Sequence, residues 1–394
     1  MTDTDDTVPL AADWSYPTSI RFGLGRIREL AASCAVLGIK NPLLVTDSGL
    51  AGSAMIGEAI SAATEAGLPV GLFSDVGSNP TGAHVERGVQ AFRESGHDGI
   101  VAFGGGSALD AGKAVAFMSG QSRPIWDFED VGDNWRRADP AGIAPVVAVP
   151  TTAGTGSETG RASVITDEAV TTKKVIFHPA MMPGIVIADP ALTVGLPPHL
   201  TAATGMDALA HCLEAYCAPG FHPMADGIAV EALRLIKEWL PVAYGDGQDL
   251  AARGHMMAAA SMGAVAFQKG LGAVHSLSHP VGALYDTHHG LTNAVFLPYV
   301  CVFNRAAIEG KMARLARCLA LDEPSFDAVL DWLLRLRETL EIPPTAKDLG
   351  VEEDRLPELA ESAAKDPTAA TNPVPAGPKE MLSIYRAAFD GRLE

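Results

Sequence analysis

Short runs dense in Val, Ile, Leu and Phe recur through the first half of the chain, each closed by small or polar residues: PLLVTD ending at Asp47, PVGLFSD ending at Asp75, GIVAFGG from Gly99 and PVVAVPT ending at Thr151. Separated by segments of helical spacing, such runs predict strands alternating with helices, and therefore a mostly parallel sheet flanked by helices. Phosphates and ribose bind such a sheet beyond the carboxyl ends of its strands. From Pro197 onward the apolar period lengthens to three and four residues, as in FDAVLDWLLRLRETL from Phe326 to Leu340, the pattern of amphipathic helices. The change falls between Asp189 and Pro198, where PALTVGLPPH is rich in turn residues. The expected organisation is a flexible tail over 1–14, an α/β dinucleotide-binding domain over 15–195 and an all-α metal-binding and catalytic domain over 196–394.

The strand GIVAF runs directly into Gly104, Gly105, Gly106 and Ser107 and then into the helical segment ALDAGKAVAFM. Glycines at a strand-to-helix turn let the backbone approach a pyrophosphate, whose charge the helix N-terminus stabilises; a plain tight turn is the competing explanation. FGLGRIREL, with Gly23 and Gly25, lacks the third glycine and reads as a loop that starts a helix. A second small-residue loop, PTTAGTGSE from Pro150 to Glu158, offers hydroxyls and amides to the same phosphates. Asp47 closes a strand, where a carboxylate accepts both ribose hydroxyls of NAD and repels the 2′-phosphate of NADP; it also suits a cap for the segment from Ser48.

Composition narrows the partners. With 47% hydrophobic and 19% charged residues, 394 residues can bury two cores. A formal net charge of −18 argues against nucleic acid or an anionic membrane and for a small metabolite. Cys34, Cys212, Cys217, Cys301 and Cys318 are odd in number and lack CxxC spacing, which suits free thiols in a reducing cytoplasm. The acidic start MTDTDDTVPLAADW lacks a signal pattern, and the absence of an 18-residue apolar run leaves no expected membrane span.

The candidate chemistry lies between Gly205 and His289. In GMDALAHCLEAY, Asp207 and His211 stand four apart on one helical face; His275 and His279 repeat the spacing, and His289 follows just before Gly290. A single histidine on an apolar helix is ordinarily a hydrogen-bonded core residue. Two such pairs in polar-poor surroundings favour a shared site, although spacing alone leaves open which histidines join it. Imidazoles with one carboxylate suit Fe²⁺ or Zn²⁺, and an octahedral ion would keep positions open for substrate. Phe267 and Leu271, four apart on one face, are expected to form an apolar wall for a small substrate; core packing explains them equally well.

The segments LPPHLTAATGMDALAHCLEAY and GLGAVHSLSHPVGALYDTHHGLTNAVFLP resemble the two signature stretches of the iron-containing (group III) alcohol dehydrogenases, and the resemblance extends over nearly the whole chain. It implies a dehydroquinate synthase-like fold, Asp207, His211, His275 and His289 as metal ligands, and His279 beside the nicotinamide and substrate. It further implies that the GGGS run, with Asp110 and Lys113 and the upstream SNPT of Ser78 to Thr81, binds NAD(P), with Asn79, Gly105, Gly106, Ser107, Asp110, Thr151, Thr152 and Lys174 as cofactor contacts. An Asp at position 47 goes with NAD.

The implied enzyme is a cytoplasmic homodimer or higher homo-oligomer interconverting a small alcohol and its aldehyde or ketone with NAD and Fe²⁺, or Zn²⁺. Gln268 and Lys269 depart from the smaller or neutral residues usual in that family; a lysine at the mouth would favour an acidic or phosphorylated substrate. The competing readings are a reductase of such a compound in the same fold, of the glycerol or maleylacetate type, and a nucleotide-binding scaffold with a structural metal. The absence of a cysteine ligand speaks against a structural zinc site.

Overall fold

A computed structural model describes residues 12–14, 18–170 and 172–393. Most of the expected tail lies outside the described residues; its end forms the short strand β1 (Ala12–Trp14). The other strands are β2 (Ser19–Phe22), β3 (Pro42–Val45), β4 (Gly71–Phe73), β5 (Gly99–Gly104), β6 (Val146–Pro150), β7 (Ala162–Asp167), β8 (Thr172–Phe177) and β9 (Ile185–Ala188). Seven of them form one sheet in the order β1-β2-β9-β6-β5-β3-β4, parallel except where β1 meets β2, while β7 and β8 make a separate antiparallel pair. The four strands read from the apolar runs are β3, β4, β5 and β6. Of the strands that complete the sheet, β9 (IVIA) is equally apolar, whereas β2 (SIRF) alternates polar and apolar residues and gives no such run.

The sheet is sandwiched, as period-two alternation requires when both faces are covered. Leu43, Val45, Ile100, Ala102, Val146 and Ala148 face a core shared with α3 (Gly82–Glu94) and α4 (Gly106–Met118). Leu44, Val101, Phe103, Val147 and Val149 face the core under α1 (Leu30–Val36) and α2 (Ala54–Glu65). Chain order reverses between β3 and β5: β4 adds on one side, β5, β6 and β9 on the other. At this switch point the ends of β3, β5 and β6 lie in register, with Val45 beside Ala102 and Gly104 beside Pro150. Asp47, Gly104–Ser107 and Thr151–Thr152 are thereby gathered at one edge, where ligands bind in sheets of this kind.

The second half is helical: α5 (Pro198–Cys217), α6 (Pro223–Gly245), α7 (Leu250–Ala266), α8 (Ala273–Tyr285), α9 (His289–Cys318), α10 (Phe326–Thr339), α11 (Leu356–Ala363) and α12 (Pro378–Asp390). α5 is buried continuously from Thr201 to Cys217, so it is the central rod of this layer. α9 is long and apolar enough by composition to cross a membrane, against the expectation drawn from run length; 67% of its most apolar window is buried among the other helices. It is accounted for as the core helix that packs on α5 and α8. Cys34, Cys212, Cys217 and Cys301 are buried free thiols and Cys318 is exposed.

Candidate metal centre and cofactor edge

Helix α5 carries Asp207 and His211 one turn apart, α8 carries His275 and His279, and His289 is the first residue of α9. Ligand atoms of Asp207, His275 and His289 lie within 4.8 Å of one another. His211 joins from the side: its Nε2 is 3.9 Å from Asp207 Oδ1, and its ring stacks on His275 with centroids 4.7 Å apart. Close approach of α9 to α5 requires Gly290, because a Cβ there would stand 2.2 Å from the Ala203 carbonyl oxygen.

The start of α8 is held from elsewhere, since Gly272 offers no side-chain cap. Asn372 Oδ1 accepts from Ala273 N at 3.0 Å, and Glu214 Oε1 accepts from Val274 N at 2.8 Å. Glu214 Oε2 also contacts His275 Nδ1. A carboxylate there fixes the Nδ1–H tautomer and leaves the His275 Nε2 lone pair for a ligand. Burial lowers His211 to about 4 against the opposing pull of Asp207, and burial with the neighbouring histidines takes His289 well below the ordinary imidazole value. Burial also opposes protonation of His275, but Glu214 and Asp207 outweigh it and the net shift is upward. Imidazoles gathered beside a carboxylate are the donor set that Fe²⁺ and Zn²⁺ take.

His279 stacks on His289 at 5.4 Å, and its Nδ1 lies 2.7 Å from Asp366 Oδ2. Asp366 Oδ1 accepts from Thr368 N and Oγ1, which anchors the carboxylate. Phe267 packs on His211 with centroids 5.1 Å apart. The shared helical face expected for Phe267 and Leu271 is not formed: α7 stops at Ala266, a 3-10 turn covers Phe267–Lys269, and the Leu271 carbonyl is taken by Thr371. Nor does Lys269 stand at a mouth: its side chain is 2% exposed and its ammonium is paired with Asp226. Gln268 is exposed and donates to the Val265 carbonyl.

At the cofactor edge, Gly104 has φ 147°, a conformation that favours glycine, and Gly105 is the N-cap of α4. Thr151 N donates to Gly104 O, and Thr152 packs against Gly105. Gly106 approaches Thr155 too closely for a Cβ, and the Ser107 hydroxyl donates to the Ser78 carbonyl. Asp110 is engaged by the protein itself, accepting from Ser157 Oγ and Val164 N and pairing with buried Lys113, and so ties α4 to β7. Asp47 Oδ1 caps the amides of Gly49 and Leu50, each at 3.0 Å, so its capping role is present. Asn79 Nδ2 donates to Asp286 across the seam between the domains.

Lys174 pairs with Asp167 at 3.0 Å and Glu129 at 3.3 Å. Its neighbour Lys173 points to the opposite side of β8, as strand alternation requires, and its ammonium lies 3.4 Å from where a Cβ of Gly282 would be. Burial lowers the Lys173 pKa despite the nearby carboxylates of Asp286, Asp110 and Asp207. Glu214, Asn293, Asp366 and Lys173 were not found from the sequence. A glutamate in the apolar run HCLEAY was a usable signal for Glu214, because a buried carboxylate needs a partner; Asn293, one turn after His289, was another.

A doubly wound sheet thus stands beside a helical layer whose Asp207, His275 and His289, with His211 alongside, form a cluster that could hold a metal ion. Residues 17–190 match the family described as iron-containing alcohol dehydrogenase, and residues 201–389 match its C-terminal part. The chain is 42% identical over 372 residues to 4-hydroxybutyrate dehydrogenase of Cupriavidus necator, covering 91% of this chain and 94% of that protein. It is 36% identical to NAD-dependent methanol dehydrogenase of Bacillus methanolicus, covering 95% and 98%. A crystal structure of 1,3-propanediol oxidoreductase superposes with a TM-score of 0.88 at 37% identity, covering 93% of this chain and 97% of that one. This chain belongs to the iron-containing alcohol dehydrogenase family and is an oxidoreductase of that class.

Proposed function

We propose that this protein interconverts a small primary alcohol and its aldehyde with NAD, on a divalent ion held by Asp207, His211, His275 and His289. Iron is the ion the family name points to, and zinc fits the same donors. The observation that carries the reading is the convergence of Asp207, His275 and His289 within 4.8 Å on three different helices, beside His279. A bound divalent ion supplies Lewis acidity that lowers the pKa of an alcohol hydroxyl, and NAD supplies the hydride acceptor. The chain does the rest. Asp207 offsets positive charge, Glu214 orients His275, and Phe267 screens His211 from water. His279, held at Nδ1 by Asp366, keeps Nε2 for relaying the hydroxyl proton. Asp47 receives the ribose, the N-terminus of α4 the pyrophosphate, and Lys173 rather than Lys174 the remaining cofactor contact.

An ω-hydroxy acid is the second reading, favoured by the Lys173 ammonium at the seam and by the likeness to a 4-hydroxybutyrate dehydrogenase. We place the enzyme in the cytoplasm, in keeping with its free thiols. The test is an anaerobic panel of methanol, 1-butanol, 1,3-propanediol and 4-hydroxybutyrate with NAD and Fe²⁺, before and after chelation. NADH formation that chelation abolishes and Fe²⁺ restores supports the reading; formation indifferent to chelation refutes it. His275→Ala should lose bound metal and turnover together.

A further inference from the structure

Asn293 lies one turn after His289 on α9 and is fully buried. Its Nδ2 stands 2.8 Å from Asp207 Oδ1, 3.1 Å from His289 Nε2 and 3.3 Å from His275 Nε2. Three residues read above as metal ligands therefore converge on a single amide nitrogen. Its Oδ1 is buried without a hydrogen-bond partner, a costly arrangement that core packing alone does not explain. A leucine would fill the same volume without that cost.

The electrostatics supply the reason. A carboxylate oxygen and two imidazole lone pairs aimed at one point repel one another unless positive charge lies between them. Glu214 at His275 Nδ1 turns the His275 Nε2 toward Asn293, and the His289 Nε2 faces the same amide from one turn away. An amide NH₂ carries partial positive charge and two protons, fewer than the three acceptors around it, so it can hold them together yet release them to a stronger partner.

We propose that Asn293 is a positioning residue of the metal centre: its amide keeps Asp207, His275 and His289 converged in the metal-free protein and yields the imidazole lone pairs when an ion binds. This rests on the reading of those residues as metal ligands. The ordering of the ligands is thus completed before the ion arrives, which raises affinity by reducing what binding must organise.

The test uses the full chain, stripped by chelation and reloaded anaerobically with Fe²⁺ or with Zn²⁺. Dissociation constants come from competition with a chromogenic chelator, and thermal melts are recorded for stripped and loaded forms. Asn293→Leu should weaken ion binding by ~10–100-fold and narrow the gap between the two melts. Asn293→Asp keeps the volume, so the test does not depend on the leucine variant folding. Its carboxylate faces Asp207, so the stripped form should melt lower than wild type and the gap should widen. Unchanged dissociation constants, or melts lowered equally in stripped and loaded forms, would overturn the proposal and leave Asn293 as packing. A wild-type protein that binds no stoichiometric ion would instead remove the ligand reading itself.

Discussion

Asp366 and His279 are 87 residues apart in sequence, yet the Asp366 Oδ2 lies 2.7 Å from His279 Nδ1. The carboxylate is anchored by Thr368 and held below its usual range: burial raises it, but His279 and Thr368 outweigh that effect. An imidazole held at Nδ1 by a fixed carboxylate has its tautomer and ring orientation set. His279→Ala should therefore lower kcat by ~10²-fold while bound metal is retained. Asp366→Asn preserves an acceptor for Thr368 and should lower kcat by a smaller factor, with the fold intact. Elemental analysis alongside kinetics decides: metal lost in His279→Ala would make His279 a ligand.

Cofactor choice is tested at Asp47. Because Oδ1 also caps Gly49 and Leu50, Asp47→Asn is cleaner than a glycine: the cap remains and the charge goes. The ratio of kcat/KM for NADP over NAD should rise by an amount equivalent to roughly 1–3 kcal/mol, the scale of one close unfavourable charge contact. A ratio equal to wild type would confine Asp47 to capping.

Adjacent lysines give a sharper comparison. Lys174 is spoken for by Asp167 and Glu129, whereas Lys173 has its ammonium at the seam. Lys173→Met should raise the KM for NAD by ~10–100-fold, the loss of one charged hydrogen bond. Lys174→Met should leave that KM near wild type and lower the melting temperature slightly. The reverse pattern would restore Lys174 as the cofactor contact.

Glu158 links the two halves of the molecule, accepting from Ser261 at 2.6 Å while buried near Lys113. Burial raises its pKa above the ordinary carboxylate value of 4.5, against the opposing effects of Ser261 and Lys113. A carboxyl with a raised folded pKa contributes its stability fully below the unfolded value and loses it as pH rises through the folded one. Glu158→Gln keeps the acceptor for Ser261 without the charge. Its melting temperature relative to wild type should therefore improve as pH is taken from about 4 to about 8; a constant difference across that range would refute the assignment.

Local pattern was sufficient for the elements that carry the chemistry. Strand runs placed β3, β5 and β6, the glycine turn placed the start of α4, and four-residue spacing set Asp207 with His211 and His275 with His279 on shared faces, because helix and strand periods act over a few residues. What remained was decided by contacts between residues far apart in the chain. Only the packing of α5, α8 and α9 brings Asp207, His275 and His289 together and sets His279 against Asp366 instead. Lys173 and Lys174 are equivalent in composition, and the face each presents follows from how β8 packs. Lys269, adjacent to the site in sequence, is turned away by the end of α7 and paired with Asp226. A metal centre is a coincidence of side chains in space, and sequence separation carries no information about such distances until the helices that bear them have packed.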